Sequence, residues 1–304
     1  GAPPRLGVAM NAAIDAAVAL LLISAAVGVV VTADRPPATP ADSGRADAVA
    51  DTLAATTAAV NYSLTPGIRE LNRSEAGADL STDTDELDRT THGSLAGLLA
   101  RAATATSGVA AVDPEGKPLT RTRVGFRRAV RDAVRARTGA GIRIDATWRP
   151  YPDAPVGGHV GVGVEPPADG VHAATLVVPT GVEPIPATAT VDFGWLGRAV
   201  AARTVEVLVP AGPARITLRG DDPEAALVAH RYARLESRTN TSLAEPLATE
   251  DTAVANARIT DSLGERMAAD LRRDYDHPSD AADAVSVSSV RIVVRTWSGP
   301  GGGA

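Results

Sequence analysis

The spacing of apolar positions changes along this chain, and each spacing predicts a different element. Residues 16–33, "AAVALLLISAAVGVVVTA", carry no charge, with Asp15 before the run and Asp34 after it. A helix rises about 1.5 Å per residue, so roughly 20 apolar residues cross the roughly 30 Å core of a bilayer. The run therefore predicts a transmembrane helix over residues 14–33. A cleavable signal is the competing reading. Val31, Thr32 and Ala33 place small residues ahead of Pro36 and Pro37, although signal cores usually run about 7–15 residues. An uninterrupted apolar surface argues against the amphipathic helix of a soluble domain.

Downstream the pattern turns amphipathic. Pro36, Pro37 and Pro40 make residues 34–45 a linker, because proline cannot continue a helix. Helical spacing follows over residues 46–60 (Val49, Leu53, Val60) and 91–104 (Leu95, Leu98, Leu99). Residues 121–137, "RTRVGFRRAVRDAVRAR", repeat Phe126, Val130 and Val134 every fourth position beneath a basic face. Helices are also expected over 193–209, 223–239 and 252–275, the last with a stripe of Val254, Ile259, Leu263, Met267 and Leu271. Residues 142–148, 159–167, 171–180 and 288–297 alternate or are rich in β-branched residues between Pro and Gly signals, and read as strands. The sum is an α+β fold. An N-terminal transmembrane helix precedes an external domain, residues 46–297, whose small sheet of about four strands is covered by helices on one face. Residues 1–13 form a cytoplasmic leader and 298–304 a flexible Gly-rich tail.

Composition narrows the setting. Asp and Glu total 36 against 30 Lys and Arg, for a net charge of -6. That balance disfavours wholesale nucleic-acid binding. Lys117 is the one lysine, so the cations are almost all arginine. Asp outnumbers Glu and Ala and Val dominate, as in a GC-rich, salt-adapted genome. No cysteine is present, which excludes disulfides and thiolate metal sites. Arg5 ahead of the apolar run favours the amino terminus inside. The sequons at Asn61, Asn72 and Asn240 then fall on the outer side as possible N-glycosylation sites.

Chemistry is sparse. His92, His159, His172, His230 and His277 show no metal-binding spacing, although His159 and His172 fall in successive strands and could face each other. "GGHVGVG" lacks the spacing and following helix of a phosphate loop, so its glycines are expected to shape a strand edge or hairpin. Asp221 and Asp222 begin a helix, where negative charge is favourable. No catalytic, cofactor or metal site is expected. The seven arginines of residues 121–137, with Arg127, Arg131 and Arg135 along one side, are the best candidates for assembly. They suit an acidic partner or anionic headgroups.

Asp15 is the fifth residue counted from Asn11, and in this it resembles type IV pilins, which carry an acid at that position of the mature helix. Asp replaces the usual Glu here, "RLGVAM" lacks a prepilin cleavage site, and the prolines break the helix early. "AIDAAVALLLISAAV", "TTAAVNYSLTPG", "THGSLAGLLARAA" and "WRPYPDAPVGG" with "VHAATLVVP" resemble a family of uncharacterised haloarchaeal single-pass membrane proteins. That family is similar in setting to components of archaeal type IV pilus-like or secretion machinery. The resemblance implies a non-catalytic, membrane-anchored external subunit that assembles with protein partners, with Asp15 as a further assembly residue. The alternative is a tethered binding module for a small molecule or surface polymer, using residues 148–167.

Overall fold

The computed structural model describes residues 30–32, 43–73, 80, 84–105, 107–109, 119–220 and 223–298. Its chain order is β1 (Val30–Thr32), α1 (Ser43–Ala55), β2 (Thr57–Ser63), α2 (Thr65–Leu71), α3 (Thr84–Leu87), β3 (Asp88–Ser94), α4 (Leu95–Ala105), β4 (Gly108–Val109) and α5 (Val124–Arg135). Then come β5 (Ile142–Trp148), β6 (Val156–Gly163), β7 (Val171–Pro179), a 3-10 turn (Ala187–Val191), α6 (Phe193–Leu208), α7 (Ala211–Leu218), α8 (Pro223–Thr239), α9 (Ala244–Ala248), α10 (Thr252–Asp274), α11 (Pro278–Asp283) and β8 (Ser289–Trp297).

The fold is α+β: a small sheet packed by helices. The main sheet has the order β1-β7-β8-β5-β6-β4, antiparallel throughout. Its four long strands match the expected ones, except that β6 runs Val156–Gly163 and not 159–167, and the short β1 and β4 extend the two edges. Alternation assigns the faces, because successive side chains of a strand point to opposite sides. Ile142, Ile144, Ala146 and Trp148 of β5 are buried, with Val290, Ile292 and Val294 of β8 and Ala174, Leu176 and Val178 of β7. The opposite face carries Arg143, Asp145, Thr147, Arg291 and Arg295. This inside-out division is what an antiparallel sheet solvated on one side requires.

Helix α4 lies across the buried face and touches β5, β6, β7 and β8. Its Leu95, Ala96, Leu98, Leu99, Ala100, Ala102 and Ala103 are all buried, so it is apolar nearly all round, as a central helix must be. Gly158 of β6 permits the approach: a Cβ there would lie 1.9 Å from the Ala103 carbonyl oxygen. The glycine-rich strand thus serves helix packing. Trp148 is fully buried and its indole N–H donates to the Val287 carbonyl at 2.9 Å, which satisfies its polar edge. Helices α6 and α10 cross closely where Gly197 faces Ala268, 2.6 Å from where a Cβ would sit.

Three expectations change. Residues 57–60, expected as the end of a helix over 46–60, form β2 together with 61–63, paired with β3 from Thr57↔Ser94 to Ser63↔Asp88. Thr57, Val60 and Tyr62 favour the extended chain, and α1 ends at Ala55. Residues 91–94 likewise belong to β3, and α4 begins at Leu95, where Ser94 Oγ accepts the Gly97 N–H at 3.1 Å as a cap. Val30–Thr32, the end of the apolar run expected as a membrane helix, pair with Val177 to Thr175 of β7. Their β-branched side chains suit a strand. The rest of that expected helix, with the leader, linker residues 34–42 and the tail from 299, lies outside the described residues. Among the described residues no helix is long and apolar enough to cross a membrane.

Candidate functional site

Helix α5 places the candidate arginines. Phe126, Val130 and Val134 are buried, and Phe126 meets Tyr62 of β2 edge-on with ring centroids 5.2 Å apart. Positions 127, 131 and 135 follow at successive fourth residues, so they form one stripe beside that buried face. Arg127 and Arg131 are half-buried and Arg135 is exposed. Arg131 keeps its Nε sheltered with no hydrogen-bond partner. Arg135 lies 3.8 Å from Asp132, both largely in solvent, where such a pair contributes little. Asp132 is the one acid among residues 121–137. The helix therefore presents a basic stripe whose lower edge is fixed by packing. Asp15 lies outside the described residues.

The open sheet face holds a second cluster, not expected from the sequence. Asp145 sits in β5 between β8 and β6. Arg143 reaches it from two residues away, Nη2 to Oδ1 at 2.7 Å. Arg295 Nη1 of β8 meets Oδ2 at 2.8 Å, and His159 Nε2 of β6 meets Oδ1 at 3.0 Å. Gly161, opposite Asp145, leaves the room: a Cβ there would be 2.5 Å from Arg143 Nη2. Burial works against the Asp145 charge, but hydrogen bonds from His159 and Arg143 outweigh it and hold the carboxyl well below the usual carboxylate range. The hydrogen bond to Asp145 in turn raises the Arg143 guanidinium against the effect of burial. A carboxylate saturated by donors is a clamp across three strands, and it has no proton to exchange near neutrality.

His159 and His172 do not face each other. Strands β5 and β8 lie between β6 and β7, and His172 pairs with Thr296. The two histidines also have opposite parity: His159 is on the open face, while His172 is in register with buried Ala174 and Leu176. Among the described residues no group of three or more His, Asp or Glu is arranged to hold a metal ion.

The sequons differ in availability. Asn61 is exposed in β2 and accepts the Thr90 hydroxyl at 2.8 Å. Asn240 is exposed just after α8 with φ +53°. Asn72 is half-buried; its Nδ2 donates to the Leu80 carbonyl at 2.9 Å and its Oδ1 accepts the Leu80 N–H. The amide nitrogen that a glycan needs is engaged at Asn72.

A helix-backed antiparallel sheet with one basic helix stripe and one clamped open face defines a compact α+β module. The chain belongs to a family of unknown function, DUF7284, whose model matches residues 14–297. No curated protein and no solved structure matches it.

Proposed function

We propose that this chain is a non-catalytic assembly subunit of a haloarchaeal cell envelope, docking an acidic partner through the arginine stripe of α5. The single observation that carries the reading is that stripe, three of the seven arginines that face Asp132 alone in residues 121–137, in a chain of net charge -6. Local charge of one sign steers a partner of the other, and repulsion among the arginines is relieved when it docks. The uncharged apolar run of residues 16–33, whose end forms β1, supports a single membrane anchor with the domain outside. The sequence resemblance supports a place in pilus-like or secretion machinery, with Asp15 pairing inside the membrane assembly. Asn61 and Asn240 are the sequons open to a glycan on that outer side.

The test is recovery of partners on the full-length protein and on a variant with Arg127, Arg131 and Arg135 all changed to Gln, at low and high salt. The variant should lose roughly ten- to hundredfold in partner affinity at low salt, from about 0.5–1 kcal/mol per charge. At about 1 M salt the Debye length is about 3 Å, so the two proteins should converge. Equal recovery under all conditions would remove the docking role.

A second reading, a binding module, rests on a different place from residues 148–167, because Trp148 and Tyr151 of that segment are in the core. It rests on a cleft of about 600 Å³ between α6 and α10, lined by Asp192, Trp195, Arg198, Asp261, Glu265 and Arg272. Trp195 is 64% exposed there, an apolar plate with a charged rim.

A further inference from the structure

Aromatic side chains are scarce in this chain, with 3 Trp, 4 Tyr and 2 Phe, and every one except Trp195 is buried or half-buried. The other two tryptophans, Trp148 and Trp297, belong to the interior. An indole left in water forgoes the burial that makes an aromatic side chain valuable to a fold. A single apolar residue on an open surface needs no explanation. Trp195 differs because it stands in the cleft between α6 and α10.

Local structure puts it there. Asp192 caps α6, its Oδ1 accepting the Trp195 N–H at 2.8 Å. Leu196 and Val200 are buried, so Trp195 and Arg198, three residues apart, share the outer side of that helix. On α10, Asp261, Glu265, Ala268 and Arg272 recur at steps of four, three and four and line the opposite wall. Ile259, Leu263, Met267 and Leu271 of the same helix are buried. Small residues let the two backbones meet at the floor. Gly197 faces Ala268, and a Cβ on Gly264 would lie 3.1 Å from the Arg198 Cα. The larger side chains therefore stand at the rim and enclose about 600 Å³, the size of a small-molecule site. From Asp261 to Arg272 the wall runs about 16 Å at about 1.5 Å per residue.

The rim decides what fits. Asp192, Asp261 and Glu265 bring three carboxylates, against the two guanidiniums of Arg198 and Arg272. Arg198 Nη2 lies 3.4 Å from Asp261 Oδ1, and the Arg272 guanidinium sits over the Phe193 ring, 5.7 Å from its centroid. With both signs present, a strongly charged ligand meets repulsion as well as attraction. Because Asp192 already caps the start of α6, that helix end does not call for an anion. What remains is an apolar plate edged by donors and acceptors. Hydroxyl groups both donate and accept, so they bond carboxylates and guanidiniums alike. The negative face of an indole attracts the positive edge of C–H bonds. We propose that the cleft binds a neutral sugar ring of a glycan, stacked on Trp195 and held through its hydroxyls by Arg198, Asp261 and Glu265. This site rests on the binding-module reading and is separate from the arginine stripe of α5.

Calorimetric titration of the full chain, in a detergent without a sugar headgroup, tests it with maltohexaose, cellohexaose and mannohexaose. At least one should bind saturably, and raising salt to about 1 M should change its affinity less than about twofold, because screening acts between charges. Trp195→Ala removes an exposed side chain, so the urea midpoint should stay where it is while affinity falls roughly tenfold or more. Trp195→Tyr keeps a plate and should stay within about threefold of the parent. Glu265→Gln keeps one acceptor and should weaken binding about threefold. The Gln variant of Arg127, Arg131 and Arg135 should bind as the parent does. Oligogalacturonate and a glucosamine hexamer place a charge of either sign on a similar ring, and both should bind more weakly than the best neutral sugar. Neutral sugars that bind Trp195→Ala and the parent equally overturn the site. Binding confined to the charged oligomers overturns the neutral ligand while the binding-module reading stands. No binding by any of the five removes both.

Discussion

On the open sheet face, Arg143 and Arg295 converge on Asp145 at 2.7 Å and 2.8 Å. Along α5, Arg127, Arg131 and Arg135 recur at every fourth residue, and Asp132 is the one acid among residues 121–137. The two regions use the same side chain under opposite electrostatic conditions. In the first, strand register brings cations from two strands to one carboxylate, and each donor finds an acceptor. In the second, helix spacing lines cations along one side with a single acid beside them. A compensated cluster stabilises the fold and leaves little charge for another molecule. A stripe of like charge repels itself slightly and keeps its charge available, so α5 suits the proposed docking and Asp145 suits stability.

The largest effect should come from breaking the compensated side. Asp145→Ala leaves Arg143 and Arg295 facing each other over a partly buried site and removes the bond from His159 to Oδ1. Removing one partner of such a cluster costs far more than the cluster contributes net, about 3 kcal/mol at this depth. Urea unfolding should show that loss as a lower midpoint with an unchanged slope. A loss under about 1 kcal/mol would make the clamp an ordinary surface ion pair and erase the contrast with α5.

A smaller effect follows from pH. The Asp145 carboxyl is held below its ordinary range in the fold, against about 3.9 in the unfolded chain. The unfolded state therefore binds the extra proton first, and stability falls as pH falls. The contribution is complete above about pH 5 and is lost progressively below about pH 4, as the folded carboxyl is approached. Unfolding midpoints of the parent and of Asp145→Asn should differ by a constant amount between about pH 7 and pH 5, then converge on further acidification. A gap that stays constant down to about pH 3 would mean that the charge of Asp145 is not what holds the strands.

Much of the architecture was legible because period and burial coincide. Ile142, Ile144, Ala146 and Trp148 alternate strictly, and β5, β7 and β8 fall where such patterns put them, while glycine-rich β6 starts three residues early. The β2–β3 pair was hidden because Thr57 to Val60 is rich in small residues that suit either helix or strand, and long-range pairing decided it. For the sites, the stripe of α5 was visible from spacing alone. The Asp145 clamp was half visible: Arg143 and Asp145 stand two residues apart on one strand face, whereas Arg295 and His159 arrive only through the register of β8 and β6. Arg231 carried no local signal, since the shelter of its unpartnered Nε depends on what α8 packs against.

The smallest effect is the one most needed to read the docking experiment. Changing Arg127, Arg131 and Arg135 together to Gln removes three charges from a helix whose apolar contacts are made by Phe126, Val130 and Val134. The exposed Arg135–Asp132 pair is worth a few tenths of a kcal/mol at most. Gln and Arg have similar helix propensities, so the backbone is indifferent to the exchange. Relief of repulsion among the remaining arginines, and removal of the sheltered Arg131 Nε that lacks a partner, work in the stabilising direction. The terms nearly cancel, and the urea midpoint should correspond to a change within about 0.5 kcal/mol. A loss above about 1 kcal/mol would place these arginines among the supports of the fold, like Arg143 and Arg295, and any loss of partners in the same variant would then report unfolding.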